Sequence, residues 1–465
     1  MVESPVCLFI SYSMDRMVTR LMKSSESTTI GAPPCSSLHS VSATPDADKA
    51  GLMSQPTYAG AFQCIGPSCE DPCCGDWDIP LDKNTYERYQ GFSSENLGAI
   101  VSEFVIVNQP PQPEELYGLI RRRSSGSCPF FGTDRLCGIQ KEYGSQLLSA
   151  TCSIYPRSLS VVAGKLEGSL SLSCPEAARN VLLIPDFMDC VSDLNSGDFR
   201  IDNSYRLAGD RDGPDAKPQS IFLPLRSILV DIVRDRSRSL WNRLLMIGQL
   251  CKGLDALDAK RGEATLLSNL RSLVQQSNAP VLQTEINDLS SNPRLRLEAI
   301  FGLTDVLMRD GSSVRFQDTF WSFLAGVSAT PDSRPGDDVE RFLQAEQNYH
   351  LPFFEAFPFI LENYLINYMF QSLFPYGRSG SADFIPQSIF AEYLQMTTQF
   401  AWMNGLLIGI AGHHKEAFAP EHVVKAIQSF TRALEHYPNL LKSINDYMSS
   451  RDLNSLHGMA IMLKD

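Results

Sequence analysis

Eight of the twelve cysteines fall between Cys64 and Cys174, as Cys64-x4-Cys69-x3-Cys73-Cys74, then Cys128-x8-Cys137, then Cys152 and Cys174. Thiolates this close in sequence suit a soft metal, because a tight loop presents two or three sulfurs and distant loops complete the shell. Gly66, Pro67, Pro72 and Gly75 punctuate the first group, and Pro129, Gly138 and Pro175 follow later cysteines directly. Such residues favour turns over helix or strand. No histidine lies between Cys64 and Cys174, so the implied shell is all sulfur, which zinc and an iron–sulfur cluster both accept. A disulfide framework and unrelated reduced thiols are the competing readings. Against disulfides stand the lack of a basic stretch before the short apolar run at residues 7–10, the adjacent pair Cys73-Cys74, and a 465-residue chain long enough to bury a core without staples.

Other chemistry is thinly represented. A radical enzyme that cleaves S-adenosylmethionine typically shows C-x3-C-x2-C, but Asp76 and Ser68 stand where that spacing needs cysteine. There is no phosphate loop, no nucleophile elbow and no glycine-rich turn between a strand and a helix. Gly412-His413-His414 invites a metal or acid–base reading, with a helix C-cap as the plainer one. Arg121, Arg122 and Arg123 read as a solvated face or as charge compensation for anionic thiolates, a role open also to Arg135 and Arg157. Glu70, Asp71, Asp76 and Asp78 form an acidic collar that either holds a substrate ammonium or solvates a loop.

These groups need a scaffold, and the patterning expects a mainly α fold: an irregular cysteine-rich metal-binding module with a small β-hairpin, followed by an all-helical domain. Residues 1–55 are rich in Ser, Thr, Pro and Ala and read as a disordered leader, with Met53 a possible true start. The module spans 56–194. Within it, 82–89 predicts a short helix capped by Asp82. Alternation across 158–173 predicts a hairpin turning about Gly164-Lys165 and ending at Cys174. Pro175 then opens a helix. A polar linker covers 195–219, and 220–465 follows helical periodicity with no strand signal. Predicted helices there include 294–308, 318–327, 339–350, 354–373, 386–412 and 420–436. The apolar run 400–411 is too short to span a bilayer and predicts a buried helix.

The combined pattern resembles the flagellin lysine N-methylases, whose cysteine module is related to zinc- or iron-chelating domains. The residues that carry the likeness are Phe62-Gln-Cys64, Cys73-Cys74-Gly75-x-Trp77, Gly126-Ser-Cys128-Pro129-Phe130-Phe131, Arg135-Leu136-Cys137, Cys152-Ser-x-Tyr155-Pro156-Arg157 and Ser169-Leu-Ser-Leu-Ser-Cys174-Pro175-Glu176. Glu362-Asn363-Tyr364-Leu365 and the stretch ending in His413-His414 extend it into the helical part. The resemblance implies a cytoplasmic enzyme that moves methyl groups from S-adenosylmethionine to lysine ε-amines of flagellin and carries an iron–sulfur cluster, 4Fe-4S in type, with zinc as the alternative metal. The metal candidates are Cys64, Cys69, Cys73, Cys74, Cys128, Cys137, Cys152 and Cys174. By chemistry alone, Tyr155, Glu176 and His413 are catalytic candidates. A different class of reading is a metal-chelating or redox module that binds a protein without modifying it.

A formal net charge of -13 disfavours nucleic-acid phosphate and suits a partner offering lysine or arginine. Mean hydropathy of -0.12 is that of an ordinary globular chain.

Overall fold

The alternating segment before Cys174 folds as expected into a hairpin, β5 (Arg157–Val162) and β6 (Lys165–Leu170). Its turn sits on Ala163 and Gly164, both with positive φ (49° and 75°), which suits the twist of a two-residue hairpin connection. The hairpin ends at Leu170 rather than at Cys174, because Ser171 to Ser173 turn on their own side chains.

The computed structural model describes residues 52–465 except 76, 93–94, 111, 186, 188–190, 196–204, 208–218, 258–262, 310–312, 328–335, 380–387 and 437–439. The expected leader and linker therefore lie largely outside the described residues. Where they are described, they add strands. β1 (Leu52–Pro56) runs parallel to β6, β7 (Val191–Asn195) pairs antiparallel with β1, and β8 (Tyr205–Leu207) runs parallel to β5. β9 (Arg378–Ser379), within the stretch expected to be purely helical, closes a six-stranded sheet of order β7-β1-β6-β5-β8-β9. A second sheet joins β2 (Ile79–Leu81), β4 (Gly118–Ile120) and β3 (Val105–Val107) in that order, all antiparallel. The cysteine-rich part thus carries more sheet than the hairpin alone, while the chain as a whole is mainly α.

The helix Lys83–Gln90 starts where Asp82 accepts from the Thr85 amide, as its capping role predicts. Beyond residue 220, periodic apolar residues become a helix array. The helix Ile389–His414 runs through its middle, with Met396, Phe400, Trp402, Leu407 and Ile408 all at most 2% exposed. No described helix is long and apolar enough to cross a membrane. The predicted helix 339–350 is Asp337–Ala345 extended by a π-helical turn, Glu346–His350, and 354–373 is interrupted at Phe357 before the helix Phe359–Ser372.

Residues 48–465 form one compact unit with two main cores. The smaller gathers Ile79, Leu81, Tyr89, Val101, Ile120 and Phe130, with Trp77, Cys128, Cys137 and Cys152 packed against it. The larger runs from the helix Pro175–Leu182 into the helix array. Within the larger core, Asn363 ties the end of the helix Pro175–Leu182 to the helix array, donating to the carbonyls of Val181 and Ile184 at 2.9 Å. Asn367 donates to Leu170 O, also at 2.9 Å.

Candidate functional site: a thiol-lined seam

Each cysteine block is built as a turn that aims backbone N–H groups at its own sulfur. The Gly66 amide donates to Cys64 Sγ at 3.4 Å. The Asp71 amide serves Cys69, those of Phe130 and Phe131 serve Cys128, those of Ile139 and Gln140 serve Cys137, and those of Glu176 and Ala177 serve Cys174. Cys137 and Cys174 are the N-caps of the helices Gly138–Tyr143 and Pro175–Leu182, and Cys152 lies in the first turn of Ala150–Ile154. Amides and helix N-termini both favour thiolate over thiol.

The loops are cross-tied. The Cys128 amide donates to Cys74 O at 2.9 Å, Gly75 bridges Ser127, and Trp77 Nε1 donates to Cys73 O at 2.8 Å. All eight cysteines are free thiols. Cys73 lies within electrostatic reach of Cys74, Cys128, Cys137 and Cys152, while Cys69 and Cys174 interact with Cys73 and with Cys64 or with each other. A hydrogen bond from the Cys74 thiol, aided by the Arg432 guanidinium, holds Cys73 below the ordinary thiol range against its burial. Burial pushes Cys128 up to about 11, and Cys152 and Cys174 up to about 12. Among the described residues, no group of three or more His, Cys, Asp or Glu side chains is disposed to hold a single metal ion.

Four of the five arginines expected to offset thiolate charge are engaged elsewhere. Arg122 pairs with Asp78, Arg123 donates to Pro129 O at 3.0 Å, and Arg157 donates to Phe62 O at 3.1 Å. Arg135 holds the first loop by its Pro67 and Cys69 carbonyls. A guanidinium that acts on the Cys73 thiol is that of Arg432, 4% exposed, on the helix Pro420–His436. It pairs with Asp71 at 2.9 Å and donates to the carbonyls of Pro72 and Gly75. Gln428 of the same helix donates to Asp71 and to Ser173 O. The acidic collar is thereby occupied: Asp71 by Arg432, Asp78 by Arg122, and Glu70 by Arg179 and Arg315. It offers no free carboxylate pair for an ammonium, and Asp76 lies outside the described residues.

Of the catalytic candidates, Tyr155 lies in the seam. Its hydroxyl is 3.1 Å from Ser173 Oγ, and its ring is 6.1 Å from that of Trp77. Burial raises its phenol well above the ordinary range, with Cys174 adding to the effect. Glu176 is neutralised by Arg179 at 2.9 Å. His413 joins a different cluster, beside His414, whose ring stacks on His422 at 3.7 Å. Sequence reading missed Arg432, Gln428, Ser171 and Glu435, which all meet at this seam. The alternate serines at 169, 171 and 173 are the available signal, and in the sequence they show as strand alternation and as part of a family block, neither of which assigns their hydroxyls a role.

Residues 226–462 match the family described as FliB lysine N-methylase C-terminal domain. The chain belongs to the FliB lysine N-methylase family. Over 137 residues it is 35% identical to a lysine-N-methylase of Salmonella typhimurium, covering 29% of this chain and 34% of that one. The same identity and length hold for the flagellar biosynthetic protein FliU of Salmonella muenchen, of which 80% is covered. They hold also for a lysine-N-methylase of Salmonella choleraesuis, again with 34% covered. The chain thus aligns with about a third of the curated lysine-N-methylases. No solved structure matches. In this FliB-family chain the matched domain supplies Arg432, Gln428 and Arg315, which reach the first cysteine loop, and Glu435, which reaches the serine turn.

Proposed function

We propose that this chain transfers methyl groups from S-adenosylmethionine to lysine ε-amines of flagellin in the cytoplasm, with a 4Fe-4S cluster held by its cysteine-rich part. The observation that carries the reading is the match of residues 226–462 to the FliB lysine N-methylase domain. The names of the relatives add lysine methylation and a flagellar setting in support.

The reaction asks little of the protein beyond position. A neutral amine displaces a sulfonium-activated methyl in line, so the site must align both partners and remove the lysine proton. For the metal, the support is chemical. Eight thiols, amides aimed at five of them and no histidine among them suit iron–sulfur ligation. A single tetrahedral zinc would need sulfurs about 3.8 Å apart, from a bond length of about 2.3 Å. An iron–sulfur cluster takes the same all-sulfur donors, and the thiols that act on one another's charge are its candidates. Cys73, Cys74, Cys128, Cys137 and Cys152 are the set from which its ligands would come. Bound, such a cluster would supply a rigid anionic anchor for the loops that carry Trp77 and Tyr155.

The test uses the full chain purified without oxygen, incubated with flagellin and methyl-labelled S-adenosylmethionine, with iron and zinc measured on the same sample. Label on flagellin lysine and iron in the protein are expected. Bound metal without transfer would instead favour a metal module that only binds a partner.

A further inference from the structure

The hydroxyl chain leaving Tyr155 ends on a carboxylate, and its hydrogen bonds have one self-consistent direction. Ser171 Oγ donates to Glu435 Oε2 at 2.6 Å, which uses its only proton. Ser173 Oγ, 2.6 Å from Ser171 Oγ, must then donate to Ser171. By the same reasoning, Tyr155, 3.1 Å from Ser173 Oγ, must donate to Ser173. The Tyr155 oxygen is left with lone pairs to accept. Ser171 and Ser173 are 7% and 0% exposed, so water does not compete along the chain. Glu435 is exposed, with its second oxygen fixed by Gln371 Nε2 at 2.8 Å. The chain therefore connects the thiol-lined seam to bulk solvent.

At the inner end, Trp77 and Tyr155 tilt at 54° to one another with ring centroids 6.1 Å apart. Aromatic faces attract an alkylammonium through their quadrupoles and accept its methylenes. Such a group must lose a proton before it can attack, since at pH 7 only about one lysine amine in a few thousand is neutral.

We propose that Trp77 and Tyr155 receive the lysine ε-ammonium and that its proton leaves through Tyr155, Ser173 and Ser171 to Glu435. The inference rests on the methyl-transfer reading above. The ammonium N–H bond breaks as the Tyr155 oxygen takes the proton. Tyr155 passes its own proton to Ser173, Ser173 to Ser171 and Ser171 to the Glu435 carboxylate, which later releases it to water. The freed lone pair attacks the methyl carbon of the sulfonium donor, and the C–S bonding pair leaves with sulfur as a neutral thioether. Because burial keeps the phenol protonated, Tyr155 conducts the proton rather than storing it.

The decisive experiment is the pH profile of kcat/KM for methyl transfer by the full-length chain and its Glu435→Gln and Ser171→Ala variants, with thermal unfolding as a folding control. At pH 7 both variants are expected to lose about a hundredfold. The deficit should close as the pH rises towards 10, where the substrate is already neutral. Wild-type rates in both variants, or an equal loss at every pH, would overturn the relay. Ser171→Ala breaks the chain without removing a charge, and so carries the comparison alone should Glu435→Gln not fold. A wild-type chain that transfers no methyl at any pH would overturn the parent reading and this one with it.

Discussion

Arg432 approaches the first cysteine loop from 360 residues away in sequence and satisfies groups that the loop cannot satisfy itself. The turn around Cys73-Cys74 points carbonyls inward, and a planar guanidinium reaches three of them and the Asp71 carboxylate at once. Arg432→Met would leave the largely buried Asp71 carboxylate without its cation, held only by Gln428, and should cost about 3 kcal/mol in denaturant unfolding. Arg432→Lys should restore only part of this. Wild-type stability in Arg432→Met would remove the clamp from the account. His350 makes a prediction of opposite origin. It is buried beside Arg296 and Phe354, with Nε2 2.9 Å from Asn404 Oδ1, and burial lowers it to about 3. The unfolded chain takes up this proton near pH 6.5, whereas the folded chain does not until about pH 3. Between those values the unfolded state holds the extra proton, so stability falls as the solution is acidified. At pH 5 the loss is about 2 kcal/mol. His350→Gln should show a correspondingly smaller drop in stability between pH 7 and pH 5. The cysteines were legible because their density has few explanations. The partners of those cysteines were not, because an arginine on an amphipathic helix looks like any solvated residue until the helix is placed.

Helices and strands divide by how local their cause is. The hairpin and the helix Lys83–Gln90 follow from nearby residues, namely alternation about a glycine and an aspartate cap, and both were foreseen. β1, β7 and β8 were not, because their partners lie more than a hundred residues away or across a polar stretch whose pattern carries no strand period. Helix crossings are equally non-local. The helices Val314–Val327 and Ile389–His414 meet so closely that a Cβ on Gly326 would stand 1.8 Å from Gly409 O. Gly326→Ala should therefore lower stability by about 3 kcal/mol or more, since only backbone movement can relieve the clash. At Gly164 the space is open and only the positive φ matters, so Gly164→Ala should cost about 1 kcal/mol. Equal unfolding midpoints for the two variants would contradict this distinction.

At the scale of the whole molecule, the cysteine-rich part and the helix array share a polar seam. Asn363 and Asn367 hold carbonyls on one side, and Arg432, Gln428 and Glu435 reach the thiol loops and the serine turn on the other. This arrangement joins the domain matched to the FliB family and the cysteine blocks within one compact unit. The family likeness was legible in the motifs, but the seam was not, since nothing in a single sequence pairs Ser171 with Glu435. The most direct test of the central claim is peptide mass spectrometry of flagellin made by the source organism with and without this chain. The account predicts methylene increments on lysine only when the chain is present. Flagellin with the same lysine masses in both samples would contradict it.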